Sequence, residues 1–152
     1  MNKCFCIAIA DDDLVVRTLL KRQLTDSGHT VVLEANSGQE LLHGLSSVAA
    51  ELVISDIHMA KLDGIDAADL IMARYGLPVI FISGLDFHTI QHRLGDCHAH
   101  AYLMKPFQPQ QLQAAIMFAM QRFEEMRSLR GEVAGLRQIL EDRKLVEQTE
   151  LD

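Results

Sequence analysis

Five short apolar runs, rich in β-branched residues, punctuate the chain as far as Lys105: FCIAIA, HTVVLEA, ELVISD, PVIFIS and AYLMK. Ile7, Ala8, Ile9 and Ala10 have no polar position among them, the pattern of a strand buried on both faces as in a parallel sheet. Between the runs the apolar spacing changes to that of helices. Val15, Leu19, Leu20 and Leu24 are spaced to cover one face of a first helix, and further helices are predicted over residues 39–45, 65–73 and 89–94. Strand alternating with helix in this way predicts an α/β fold, a five-stranded doubly wound parallel sheet, because right-handed crossovers place helices over both faces. No internal repeat is present.

In such sheets the functional crevice lies at the carboxyl ends of the strands. The first run ends at Asp11, Asp12 and Asp13, the third at Ser55 and Asp56, the fourth at Ser83 and Gly84, and the fifth at Lys105 and Pro106. Acids, a hydroxyl and a lysine therefore meet on one edge. Consecutive aspartates store repulsion that a cation relieves, and a charged turn with Asp13 capping the next helix is the plainer reading of that stretch alone. Asp11, Asp12 and Asp56 together offer hard oxygen ligands of the kind that suit Mg2+ with several waters retained. A carboxylate is also a competent nucleophile toward phosphorus. Phosphoryl transfer needs mostly positioning and charge neutralisation, which the Lys105 ammonium and the Ser83 hydroxyl are suited to provide.

Composition narrows the setting. The chain has 152 residues, 49% of them hydrophobic and 23% charged, with a formal net charge of -7. That balance argues against wholesale nucleic-acid binding, which draws on a positive surface. Three cysteines, Cys4, Cys6 and Cys97, are too few and too odd in number for a disulfide framework and suggest a reducing compartment. The pair Cys4 and Cys6, with Cys97, His98 and His100 of DCHAH, admits a soft-metal site, but buried apolar cysteines and a polar loop are the preferred reading. The N-terminal apolar run meets Asp11 too soon for a signal peptide, and no stretch is long enough to span a bilayer. A cytoplasmic protein with no membrane partner is expected.

The motifs resemble those of the response-regulator receiver domain of two-component signalling, over roughly residues 3 to 122. IADDD stands where that family has its acidic pair, LVISDIHMAKLDG matches the segment around its phosphoacceptor, VIFISG its hydroxyl strand and AYLMKPF its lysine–proline turn. The resemblance implies a flavodoxin-like fold in which Asp56 is phosphorylated, Asp11 and Asp12 hold Mg2+, and His58 adds its main-chain carbonyl. It further implies that Ser83 and Lys105 bind the phosphoryl group and that Tyr102 changes rotamer with the switch. The implied partner is a sensor histidine kinase or phosphotransfer protein. The implied chemistry is Mg2+-dependent self-phosphorylation with slow autodephosphorylation, and no other enzyme activity. Leu14 and Ala60 stand where prolines are common in the family, Gly84 where alanine is common, and His58 and Leu85 where the family varies. Asp63 with Gly64 reads as a turn into the third helix.

Beyond Pro109 helical periodicity returns and runs on, so residues 1–122 are expected to form the receiver and residues 123–152 an extended C-terminal helix. Met126, Leu129, Val133, Leu136 and Leu140 follow a 3-4-3-4 spacing, a short heptad seam favouring a homodimer over a helix folded back on its own domain. Gly131 and Gly135 weaken that helix by roughly 1 kcal/mol each relative to alanine. The run LRQILEDRKLVEQ resembles the linker entering an ANTAR-type RNA-binding antiterminator domain. The RNA module of that family would follow it, so the expectation is either a truncated ANTAR-type RNA-binding antiterminator regulator or a receiver with a helical stub, with no direct nucleic-acid binding by this chain in either case. A haloacid-dehalogenase-like phosphatase would use Asp11 and Asp13, Ser83 and Lys105. It would also need a further acidic pair after the lysine and leaves SDIHMAKLDG unexplained, so it is disfavoured.

Overall fold

The computed structural model describes residues 3–59, 61–84, 88, 91–92 and 99–151, with side chains described as far as residue 143. Strands β1 (Cys6–Ala10), β2 (Thr30–Ala35), β3 (Leu52–Asp56), β4 (Val79–Ser83) and β5 (Ala101–Met104) form one sheet in the order β2-β1-β3-β4-β5. Every neighbouring pair is parallel. The helices are α1 (Leu14–Asp26), α2 (Gly38–Leu45), α3 (Gly64–Tyr75) and α4 (Pro109–Leu151). This is the doubly wound, flavodoxin-like arrangement expected, with a long C-terminal helix. The helix expected over residues 89–94 lies, apart from Gln91 and His92, outside the described residues.

Side chains alternating along the strands build two apolar layers. Ala8, Ala10, Val53, Val79 and Phe81 face α2 and α3, where Leu41, Leu42, Leu45, Ala67, Ala68 and Ile71 complete one cluster. Ile7, Ile9, Leu52, Ile54, Ile80 and Ile82 face the other way, toward Leu20 and Leu24 of α1 and Leu112, Ile116 and Ala119 of α4. The small alanines of β1 let α2 approach closely, while the isoleucines fill the opposite layer. Local chemistry starts the first three helices. Asp13 accepts from the Val15 amide at α1, Ser37 from Glu40 at α2, and Asp63 from Ile65 and Asp66 at α3. Asp13 is thus the helix cap of the plainer reading, and Asp63, read from the sequence as a turn into the third helix, also caps it.

Two expectations need correction. Val15 and Leu19 do not share the buried face of α1: they are 67% and 54% exposed. The stripe facing the sheet is Val16, Leu20 and Leu24, at i, i+4 and i+8, so residues one position earlier are turned about 100° away. The cysteines are not a buried apolar pair either, since Cys4 is exposed and Cys6 half-buried, both as free thiols. They precede and begin β1, at the margin of the sheet rather than in its centre. Cys97 and His98 lie outside the described residues, while His100 is buried with its Nδ1 accepting from the Val79 amide at 3.4 Å.

The chain divides into two compact units, Met1–Met120 and Gln121–Asp152. In the second, Met126, Leu129, Val133, Leu136 and Leu140 are all exposed, as is Ile139. Among the described residues no helix is long and apolar enough to cross a membrane.

Candidate functional site

Parallel strands that end level with one another bring their next residues together. The chain leaves β1 at Asp11, β3 ends on Asp56, β4 ends on Ser83, and the residue after β5 is Lys105. In register, β3 residue Asp56 sits opposite Ile82 and β4 residue Ser83 opposite Met104. The Lys105 amide then donates to the Ser83 carbonyl at 2.7 Å, extending the ladder by one step and fixing where the lysine side chain departs. Lys105 and Pro106 are joined by a cis peptide.

From there the Lys105 ammonium lies 2.7 Å from Asp11 Oδ2 and 3.4 Å from Asp56 Oδ2. Asp11 and Asp56 are buried, Asp12 is exposed, and each offers a carboxylate oxygen within 4.8 Å of the others. The remaining Asp11 oxygen accepts from the Asp13 amide at 2.9 Å, and Asp56 Oδ1 accepts from the Ile57 amide at 2.8 Å. Ser83 is fully buried at the end of β4. Tyr102 on edge strand β5 is half-buried, pairs in register with Phe81 and packs on the layer beneath α2 and α3. His58 is exposed two residues beyond Asp56, which leaves its side chain to solvent.

The electrostatics are those of a site short of positive charge. Burial raises the Asp56 pKa, Lys105 pulls it down, Asp11 pushes it up again, and the net displacement is upward. Burial also opposes the charge on Lys105, yet its hydrogen bond to Asp11 and the charge of Asp56 outweigh this and raise its pKa. One ammonium shared between two buried carboxylates leaves their repulsion incompletely relieved. Three carboxylates with one open to solvent are a donor set that fits Mg2+, a hard cation that keeps part of its water shell.

Two contributors escaped the sequence reading. The Ile57 amide, a backbone group, orients Asp56. Arg17, one turn into α1, donates from Nη1 to the Asp11 carbonyl at 2.8 Å. Its spacing of four from the cap Asp13 was the available signal, since that spacing returns a side chain to the same face of the helix.

Comparison with known proteins follows the same lines. The family described as the response regulator receiver domain matches residues 7–117. The transcriptional regulatory protein PdtaR of Mycobacterium tuberculosis (strain ATCC 25618 / H37Rv) is 39% identical over 142 residues, covering 93% of this chain and 69% of that protein. This similarity runs past the receiver into the ANTAR-like tail. Response regulator RR06 of Streptococcus pneumoniae serotype 2 (strain D39 / NCTC 7466) is 31% identical over 101 residues, 66% of this chain and 46% of that protein. Among solved structures, a response regulator receiver domain protein from Clostridium thermocellum superposes with a TM-score of 0.70 at 27% identity, covering 80% of this chain and 98% of the other. The signal receiver domain of a modulated diguanylate cyclase from Desulfovibrio desulfuricans G20 shares the fold, with a TM-score of 0.75 at 23% identity over 82% of this chain and 99% of that one. Sheet order, strand-end chemistry and these similarities agree: the chain belongs to the response regulator receiver family of two-component signalling.

Proposed function

We propose that Asp56 is the phosphoacceptor of this receiver and that Asp11, Asp12 and Asp56, with the His58 main-chain carbonyl, hold the Mg2+ that phosphorylation needs. The observation that carries this reading is the convergence of Asp11, Asp12 and Asp56 oxygens within 4.8 Å, with the Lys105 ammonium 3.4 Å from Asp56. Bound there, Mg2+ supplies charge neutralisation at a phosphoryl oxygen. The chain's own groups do the remainder. A carboxylate oxygen of Asp56 bonds to phosphorus as the donor's bond to phosphorus breaks, and the donor group departs with that electron pair. The ammonium of Lys105 and the hydroxyl of Ser83 then take two of the phosphoryl oxygens. The added charge of about -1.5 to -2 draws Ser83 inward and leaves room that Tyr102 enters, altering the surface near β5.

The donor in this reading is a sensor histidine kinase or phosphotransfer protein in the cytoplasm. Self-phosphorylation and slow autodephosphorylation are the only reactions assigned to the chain. Residues 1–122 act as the receiver, and residues 123–152 form a homodimerising helix whose exposed seam is Met126, Leu129, Val133, Leu136 and Leu140. A second reading of the output, RNA-binding antitermination by an ANTAR-type regulator, is favoured by the tail segment LRQILEDRKLVEQ and by the similarity reaching into it.

The test is incubation of the full chain with Mg2+ and a small phosphodonor, followed by mass spectrometry to locate the phosphate. Asp56→Asn is expected to abolish acid- and hydroxylamine-labile labelling, and excess chelator to stop it in the unaltered chain. Undiminished labelling of the variant sinks the assignment of Asp56. An unchanged rate in chelator sinks the metal cradle.

A further inference from the structure

Asp11 is held at every polar group it has. Its amide donates to the Ala35 carbonyl at 3.1 Å, and its carboxylate takes the Asp13 amide and the Lys105 ammonium. The last group, its carbonyl, lies beyond the end of β1 and accepts from Arg17 Nη1 at 2.8 Å. That carbonyl belongs to the peptide joining Asp11 to Asp12. A bond to it sets the plane from which Asp12 emerges, and Asp12 is the exposed member of the acidic trio.

Arg17 is itself restrained. Its side chain is only 18% exposed, and its Nε lies 4.0 Å from Glu34 Oε1 on β2, while Lys21 Nζ sits 3.0 Å from the other Glu34 oxygen. The planar guanidinium thus spans the β1–α1 turn and β2, a reach that a single ammonium cannot duplicate.

We propose that Arg17 is a positioning residue for the cation cradle, acting through the Asp11–Asp12 peptide. The inference rests on the reading that the three aspartates hold Mg2+. It is separable from simple electrostatics because the two effects have opposite signs. A nearby guanidinium charge repels a divalent cation, so if charge alone mattered its removal would tighten binding. If Arg17 aims the ligands, its removal weakens binding despite the lost repulsion. Groups that orient metal ligands are commonly worth 10–100-fold in affinity.

The experiment is calorimetric titration of the full chain with Mg2+, unaltered and as Arg17→Ala, Arg17→Lys and Glu34→Gln, at a temperature where circular dichroism shows each folded. We expect about tenfold weaker Mg2+ binding in Arg17→Ala, weakening also in Arg17→Lys because the fork is lost although the charge remains, and a smaller loss in Glu34→Gln. Arg17→Lys decides the matter if Arg17→Ala does not fold. Unchanged affinity in the folded Arg17 variants would reduce Arg17 to a fold-stabilising contact and overturn the proposal, as would tightening. An unaltered chain that binds no Mg2+ overturns the cradle itself and this inference with it, whereas normal binding with indifferent Arg17 variants overturns the role of Arg17 alone.

Discussion

Asp56 is ionisable, buried and only partly compensated, and its pKa is raised chiefly by burial. Folded chains therefore hold a proton on Asp56 at pH values where unfolded chains have released it. The stability this provides is fully present below the ordinary carboxylate value of 3.8 and is lost as pH rises through the raised one. In chelator, the melting temperature of the chain should carry this downward slope, and Asp56→Asn should flatten it and melt higher than the unaltered chain at pH 7. Melting curves from pH 4 to pH 7 decide the point, and a variant that melts lower at pH 7 would contradict it. Lys105 has the same sign in a different window. Its raised pKa means that its ion pairs stabilise the fold fully below 10.5, and that this contribution disappears as pH climbs through the folded value.

At the scale of elements, the start of α3 lies hard against the end of β3. A Cβ on Gly64 would fall inside contact distance of the Asp56 carbonyl oxygen, with the Ile57 Cα 3.0 Å away. The Gly64 amide donates to the Ile57 carbonyl at 2.8 Å, and Asp63 caps α3. Gly64 thus sits against the backbone that carries Asp56, the proposed phosphoacceptor. Gly64→Ala should cost about 1–3 kcal/mol of stability, as overpacking against an inflexible backbone does, and should slow phosphorylation by displacing Asp56. Asp63→Ala, which removes only the cap, should cost about 0.5–2 kcal/mol and leave the labelling rate much closer to normal. Chemical denaturation paired with the labelling assay separates the two. Equal labelling rates in both variants would show that the close approach at Gly64 does not govern the position of Asp56.

At the scale of the whole molecule, the proposed output is self-association through the tail. One helix, α4, carries the buried stripe Leu112, Ile116 and Ala119 and, later in its length, the exposed seam. An exposed heptad of large apolar residues is the pattern by which two such helices associate. Sedimentation of the full chain, and of a version stopped after Phe123, with and without a phosphoryl mimic, should show self-association only in the full chain. Phosphorylation should shift it by about 1–3 kcal/mol, the usual size of such coupling. If both lengths stay monomeric at high concentration in both states, the seam is a solvated helix face and the output lies elsewhere.

The alternation of strand and helix, the order of the acids, serine and lysine along the chain, the cap at Asp13 and the turn at Asp63 were legible in the amino-acid sequence. Each depends on short-range periodicity, on a neighbour a few residues away, or on the rule that parallel strands present their carboxyl ends on one edge. Other features were decided only in three dimensions. Which stripe of α1 meets the sheet turned on a rotation of about 100°, within the ambiguity that Val15, Val16, Leu19 and Leu20 leave open. The exposure of Cys4 followed from where the sheet begins. Lys105 and Asp11 meet across 94 positions of sequence, and Arg17 reaches the Asp11 carbonyl and approaches Glu34 of β2. A local period records which face a residue occupies. It does not record which group from another element will stand opposite, because that is set by strand register and helix placement once the core has packed.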